Sequence, residues 1–304
     1  MSTIAAAGFS AGSSDGELAS LEARLGHLAD MGAEAVELAL SSLDLISGGR
    51  IVPERARRLE ALTSRFPFRY SVHGLVSSNF MDPETLPHQM AAARAMVELS
   101  AAVGAGVLVH HGGALRARQI AERAGARSRE RDALTELAEH ARPHGVRIAL
   151  ENIFSTQPGE YRQSPSELAD TVRLIGHPNL VALIDFSHAY IEASFRGLDF
   201  REQVRAMGPV TGHLHVHDSF GRPIGSYVPY HPQEATALGL GDLHLPLGWG
   251  DIPWREIFDE IELLPDTLLI MEIGDRYAAE QPESLALARE LMARANARKA
   301  MAAE

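Results

Sequence analysis

The chain is expected to be α/β, a single-domain (β/α)8 TIM barrel over residues 1–304. Three observations predict it. Short apolar runs alternate eight times with longer amphipathic ones. The first run is followed by GFSAGSSDG, which lacks the G-x-G-x-x-G spacing of an open dinucleotide-binding sheet. Strongly polar residues also stand at the C-terminal ends of most of the apolar runs, the edge at which a barrel collects its chemistry.

The elements follow in order. Residues 4–9 read as a first strand, and a Ser/Gly loop leads to a helix over 17–31 that Gly32 ends. Residues 35–40 form the second strand, and Pro53 opens a helix to about residue 65. Residues 68–73 are the third strand, followed by an Ala- and Met-rich helix over 84–103 that Gly104 and Gly106 break. Residues 107–110 are the fourth strand and 117–143 are helical. A fifth strand over 146–151 precedes a helix over 164–174. Residues 180–185 are the sixth strand. Irregular chain with a helix near 200–207 leads to the seventh, over 213–217. A short helix over 254–261, a last strand over 268–272 and a final helix over 282–298 complete the chain.

Composition narrows the function. The 304 residues carry a net charge of −12, and Lys299 is the only lysine. No basic stripe is present, so the charge balance weighs against a nucleic-acid partner. The cluster Arg55, Arg57 and Arg58 reads as a solvated helix face. Without cysteine there is no disulfide, thiolate ligand or Cys nucleophile. MSTIAAAGFSAG has no signal-peptide pattern and no run is long and apolar enough for a membrane span, so a soluble, cytoplasmic protein is expected. Homo-oligomerisation is compatible with the sequence but not read from it.

The richest stretch runs from His213 to Asp251. It opens with His213, His215 and His217 at alternate positions, which on a strand share one face, and then Asp218. Asp242 and His244 follow a long Gly/Pro loop. Further candidates stand at strand ends: His73, His110 with its neighbour His111, Glu151, Asp185 with His188 three residues on, and Glu272. His, Asp and Glu converging on one face are the usual ligands of a divalent ion. Singly, each could be a cap or a hydrogen-bonded core group. Of His110 and His111 only one can point inward, and His110 is taken as the ligand. His213 is expected to lie too deep and to be a core histidine. Glu37 reads equally as a ligand or a structural acceptor and Asn152 equally as a supporting or a substrate-binding amide, while His231 reads as a plain loop residue in preference to a substrate contact.

As a set, VHG at His73, VHHGG at His110, ALENI at Glu151, LIDFSHAY at Asp185 and His188, HVHDS at His215, DLHLPLGWGDI at Asp242 and His244, and LIMEI at Glu272 resemble the xylose isomerase-like TIM barrel superfamily. That superfamily holds sugar phosphate isomerases and epimerases and the endonuclease IV (AP endonuclease family 2) enzymes. The resemblance implies one divalent ion, Zn2+ or Mn2+, on Glu151, Asp185, His215 and Glu272, as in the ketose epimerases. It also implies up to three ions if the endonuclease set is used, which adds His73, His110, His188, Asp242 and His244. The family lysine two residues after the seventh-strand histidine is replaced by His217.

The preferred expectation is a sugar or sugar phosphate isomerase/epimerase that moves a proton through a metal-stabilised enediolate. Glu151 and Glu272 would exchange the proton and His188 would hold a substrate hydroxyl. The alternative is an endonuclease IV-like phosphoester hydrolase with a two- or three-metal cluster. A catalytically silent barrel that binds a polyol or a partner protein is the third reading. Unpaired buried carboxylates would be costly there. The long loop over 219–250 is expected to cover the site, with Tyr227, Pro229 and Tyr230 closing over a substrate.

Overall fold

The computed structural model describes residues 3–301. Eight parallel strands close into a barrel in chain order: β1 (Ile4–Ala11), β2 (Ala35–Ala39), β3 (Arg69–His73), β4 (Val107–His111), β5 (Arg147–Glu151), β6 (Leu180–Asp185), β7 (Thr211–Val216) and β8 (Thr267–Met271). β8 pairs with β1 and completes the closure. The helices outside are α1 (Leu18–Asp30), α2 (Pro53–Thr63), α3 (Leu86–Ala102), α4 (Arg123–Ala141), α5 (Pro165–Ile175), α6 (Phe186–Arg196), α7 (Phe200–Met207), α8 (Pro232–Leu238), α9 (Trp254–Glu260) and α10 (Gln281–Met301). The largest apolar cluster lies between strands and helices, as two packed layers require.

Strand alternation fills the inside of the barrel. Val107, Val109, Ala149, Val181 and Leu183 pack together on one side, and Ala6, Ala35, Leu268 and Ile270 on the other. The side-chain period of two then dictates what comes next on the same faces. One step beyond Ala35, Val109, Ala149, Leu183 and Ile270 stand Glu37, His111, Glu151, Asp185 and Glu272. In the β7–β8 register His213 and His215 lie beside Leu268 and Ile270, so both imidazoles face inward. The apolar plug thus ends in a polar layer at the C-terminal rim.

Two elements differ from the sequence reading. The chain after β6 is helical at once, because Asp185 is both the last strand residue and the N-cap of α6, accepting from the His188 N–H at 2.8 Å. No loop signal separates the two. The loop over 219–250 contains α8, opened by Pro232 and ended by Gly239 in the left-handed region. Its tip is exposed, with Val228 at 86% and Tyr230 at 87%.

Candidate metal centre

Glu151, at the end of β5, is the centre of the polar layer and is fully buried. Four imidazole nitrogens surround its carboxylate: His188 Nδ1 at 3.2 Å, His111 Nε2 at 3.3 Å, His215 Nδ1 at 3.5 Å and His73 Nε2 at 3.6 Å. Among the described residues, none makes an aligned hydrogen bond to Glu151, and both Glu151 oxygens and His215 Nδ1 are buried without a hydrogen-bond partner. Glu272 Oε2 approaches the same His215 Nδ1 at 3.4 Å.

These spacings suit ligands of one ion better than hydrogen-bonded neighbours. Two donors each about 2.1 Å from a tetrahedral ion are roughly 3.4 Å apart. Orphaned buried carboxylate oxygens are costly unless a cation meets them. Ligand atoms of Glu151, Asp185 and His215 all lie within 4.8 Å of one another, as do those of His73, His111 and Glu151. The residues present fit a divalent ion.

The other face of His215 is fixed. Its Nε2 lies 2.8 Å from Glu37 Oε1, while His213 Nε2 lies 2.8 Å from Glu37 Oε2. Ser71 Oγ donates to the same Oε2 at 2.9 Å. Glu37 is therefore an acceptor for three inward-facing groups, and His213 is a buried structural histidine below the site.

A second cluster adjoins the first. His217 Nε2 lies 3.0 Å from Asp185 Oδ2, and His188 Nε2 lies 3.2 Å from Asp242 Oδ2. His244 Nε2 reaches Asp242 at 2.9 Å and stacks on the His217 ring at 4.1 Å. Its Nδ1 lies 2.6 Å from the backbone oxygen of Glu272. Asp185, His188 and His217 also offer ligand atoms within 4.8 Å of one another. Ser187 Oγ, the first polar group of α6 after its cap, donates to Asp242 at 3.0 Å. The ring of Phe154 packs on His188 with centroids 5.1 Å apart, giving the site an apolar wall. Neither Ser187 nor Phe154 stood out in the sequence; only their place beside a strand end marks them.

His110 requires correction. Strand parity turns it outward, where its ring packs on Phe80 at 4.1 Å, and burial pulls its pKa down to about 3. Its neighbour His111 faces Glu151. Asn152 clamps β5 to β6, donating to the Asp185 oxygen and accepting from the Asp185 N–H, both at 2.9 Å. Asp218 staples the long loop, accepting from the Gly248 N–H at 2.7 Å and from Trp254 Nε1 at 3.1 Å. His231 is exposed.

Burial opposes charge at Glu151, Asp185, Asp242, His188 and His215, yet at these five the mutual fields prevail. Against burial, His111 and His215 hold the Glu151 carboxyl well below its usual range. Asp185 is lowered against burial by His188 and His217, and Asp242 lies well below its usual range through His244 and His188. His215 is pushed well above its ordinary value despite burial, by Glu272 and Glu37, and His188 by Asp185 and Asp242. The potential at the centre favours positive charge.

The family model for the xylose isomerase-like TIM barrel matches residues 25–296. The chain belongs to this family. Among solved structures, a D-tagatose 3-epimerase-like protein superposes with a TM-score of 0.71 at 20% identity, covering 96% of this chain and 99% of that one. A D-psicose 3-epimerase crystallised with D-fructose gives a TM-score of 0.66 at 14% identity, covering 95% and 99%. The 3-keto-D-glucoside 4-epimerase YcjR from E. coli gives 0.64 at 14% identity, covering 93% and 98%. At such identities the superpositions establish the shared barrel. No curated protein matches the sequence. Among the described residues, no helix of this xylose isomerase-like barrel is long and apolar enough to cross a membrane.

Proposed function

We propose that the protein is a divalent-metal-dependent isomerase or epimerase of a sugar or sugar phosphate. The observation that carries the proposal is the placement of Glu151 and Glu272 about one imidazole nitrogen, His215 Nδ1, at 3.5 and 3.4 Å, with the Glu151 oxygens buried and unpartnered. Glu151, Asp185, His215 and Glu272 would hold the ion, Zn2+ or Mn2+, which when bound supplies Lewis-acid polarisation of a substrate carbonyl.

The chain's own groups would do the rest. Glu151 ends strand five and Glu272 directly follows strand eight. One would take the proton from carbon and the other return it. His188 is held at Nδ1 by the backbone oxygen of Asn152 at 3.1 Å and at Nε2 by Asp242 at 3.2 Å, and would fix a substrate hydroxyl by exchanging the Asp242 contact for it. The ring of Phe154 would exclude water from that side. The family relationship and the sugar epimerases among the superposed structures support this reading, and the charge of −12 speaks for a small carbohydrate over nucleic acid.

The second cluster, at Asp185, His188, His217, Asp242 and His244, favours a specific alternative: a phosphoester hydrolase with two or three ions. Elemental analysis of the purified protein with a panel of ketoses tests both. One ion per chain and interconversion of a ketose support the proposal. Two or three ions with cleavage of an abasic-site duplex would replace it by the hydrolase.

A further inference from the structure

A cleft of about 520 Å³ opens beside the metal centre, between the loop after β1 and the loop after β8. Glu272 and His244 belong both to this cleft and to the centre. Ser10, Ser13 and Ser14 line the β1 side, with Arg24 from the second turn of α1, and Asp275 lines the β8 side. The volume is that of an ordinary small-molecule site, and its wall is rich in hydroxyls.

Arg24 is the only arginine in this wall. It is half-buried, and its guanidinium makes one hydrogen bond, from Nη1 to Gln281 Oε1 at 3.1 Å. Among the described residues it has no carboxylate within 4.0 Å. A guanidinium has five N–H donors in a planar fork that matches a carboxylate or phosphate. Arginines withdrawn from water normally find such a partner. Here burial lowers the pKa of Arg24, and Asp275, which is itself exposed, only partly offsets it. The fork is left facing a cleft whose other end is the catalytic glutamate of the proposed reaction.

We infer that this cleft receives an anionic group of the substrate, a phosphate ester or a carboxylate, with Arg24 as its partner. The inference rests on the sugar isomerase reading and narrows it: the substrate class is a phosphorylated or acidic sugar. A neutral ketose would leave the guanidinium with only the exposed Asp275 as a partial counter-charge, and the hydroxyls of the serine wall would serve the sugar chain between the anion and the reacting carbons.

The metal-loaded protein is titrated calorimetrically with D-fructose, D-fructose 6-phosphate and D-fructuronate. At least one anionic sugar should bind roughly tenfold or more tightly than D-fructose, and the two anionic probes separate phosphate from carboxylate. Arg24→Gln should abolish that preference while D-fructose affinity and metal content stay within about twofold; Arg24→Lys, which keeps the charge but loses the fork, should retain part of it. Equal affinity for all three probes in the wild-type protein, or a preference unchanged in Arg24→Gln, overturns the inference. Inorganic phosphate, titrated by thermal shift into wild type and Arg24→Gln, keeps the two readings apart. A rise in Tm that the variant loses upholds the anion cleft even where no sugar binds, and the absence of both that rise and any sugar preference refutes it.

Discussion

Glu37 Oε1 lies 2.8 Å from Nε2 of His215, so the ring is tied at its deep nitrogen and presents Nδ1 to Glu151 and Glu272. The two residues are 178 positions apart in sequence and meet across the barrel, β2 to β7. A carboxylate behind a ligating imidazole fixes the tautomer and the ring plane and makes the free nitrogen a better donor. Burial alone would neutralise Glu37, but His215 and His213 hold its pKa well below the usual range. It therefore carries the charge this support requires.

Glu37→Gln should weaken binding of the divalent ion by roughly 10–100-fold while the fold persists. The amide keeps the volume but removes the charge and offers only one acceptor oxygen to two imidazoles. Competition against a chromophoric chelator measures the affinity, and circular dichroism checks the fold. An affinity equal to wild type would reduce Glu37 to a packing residue.

His110 and His111 should separate cleanly. His111→Ala removes a group 3.3 Å from Glu151 and should lower metal affinity and turnover by about tenfold or more. His110→Leu replaces a ring whose Nε2 is buried and unpartnered against Phe80. It should keep metal affinity and change stability by about 1 kcal/mol or less, because an unsatisfied polar atom is exchanged for an apolar one. Metal titration and urea denaturation on both variants decide the matter, and metal loss in His110→Leu would reverse the assignment.

The pair also shows where sequence reading stops. The barrel was legible because apolar runs of strand length recur with helical stretches between them, and because Glu151, Asp185 and Glu272 end such runs. Adjacent histidines are ambiguous until the parity of the strand is known; Val107 and Val109 facing inward fix it on His111. The partners of Glu37 lie on other strands, His213 and His215 far along the chain, so no local spacing announces its role. Helix α6 escaped notice because Asp185 ends one element and caps the next with no turn residue between them. Arg24 sits on a helix in an unremarkable phrase, LEARLG, and only the closed barrel brings it to the mouth beside Glu272.

Glu130 should make stability fall as pH rises. Its carboxyl is buried on α4, accepting from the Gly113 N–H at 2.7 Å and from Gln163 Nε2 at 2.8 Å. Burial raises its pKa from 4.5 to about 7, with the Gly113 bond and Arg127 acting against that shift. Between those values the folded chain holds a proton that the unfolded chain has lost, so this group's contribution is full below the lower value and is lost as pH passes the upper one. Relative to wild type, Glu130→Gln should gain roughly 2–4 kcal/mol across that window. Urea denaturation at pH 4.5 and pH 8 measures it, and a constant difference between the proteins would show that Glu130 titrates normally.

Asp242→Ala combined with His244→Ala distinguishes one ion from several. Asp242 joins Ser187 and His188 of α6 to the end of the long loop, and His244 joins that loop to the Glu272 backbone at 2.6 Å. His244 also has a positive φ of 47° and is held there by both contacts, a backbone state that few non-glycine residues adopt. Removing both side chains should speed hydrogen exchange over residues 240–247, because that segment loses its ties to α6 and β8. In the isomerase reading Glu151, Asp185, His215 and Glu272 are untouched. One ion should remain, and turnover should fall by about tenfold or more because His188 loses its partner at Nε2. In the hydrolase reading the same change strips ligands from the second cluster, so the metal count should drop by one and activity should vanish. Elemental analysis before and after the double substitution reads the difference directly. Unchanged metal, unchanged exchange and full turnover would show that Asp242 and His244 take no part in either chemistry.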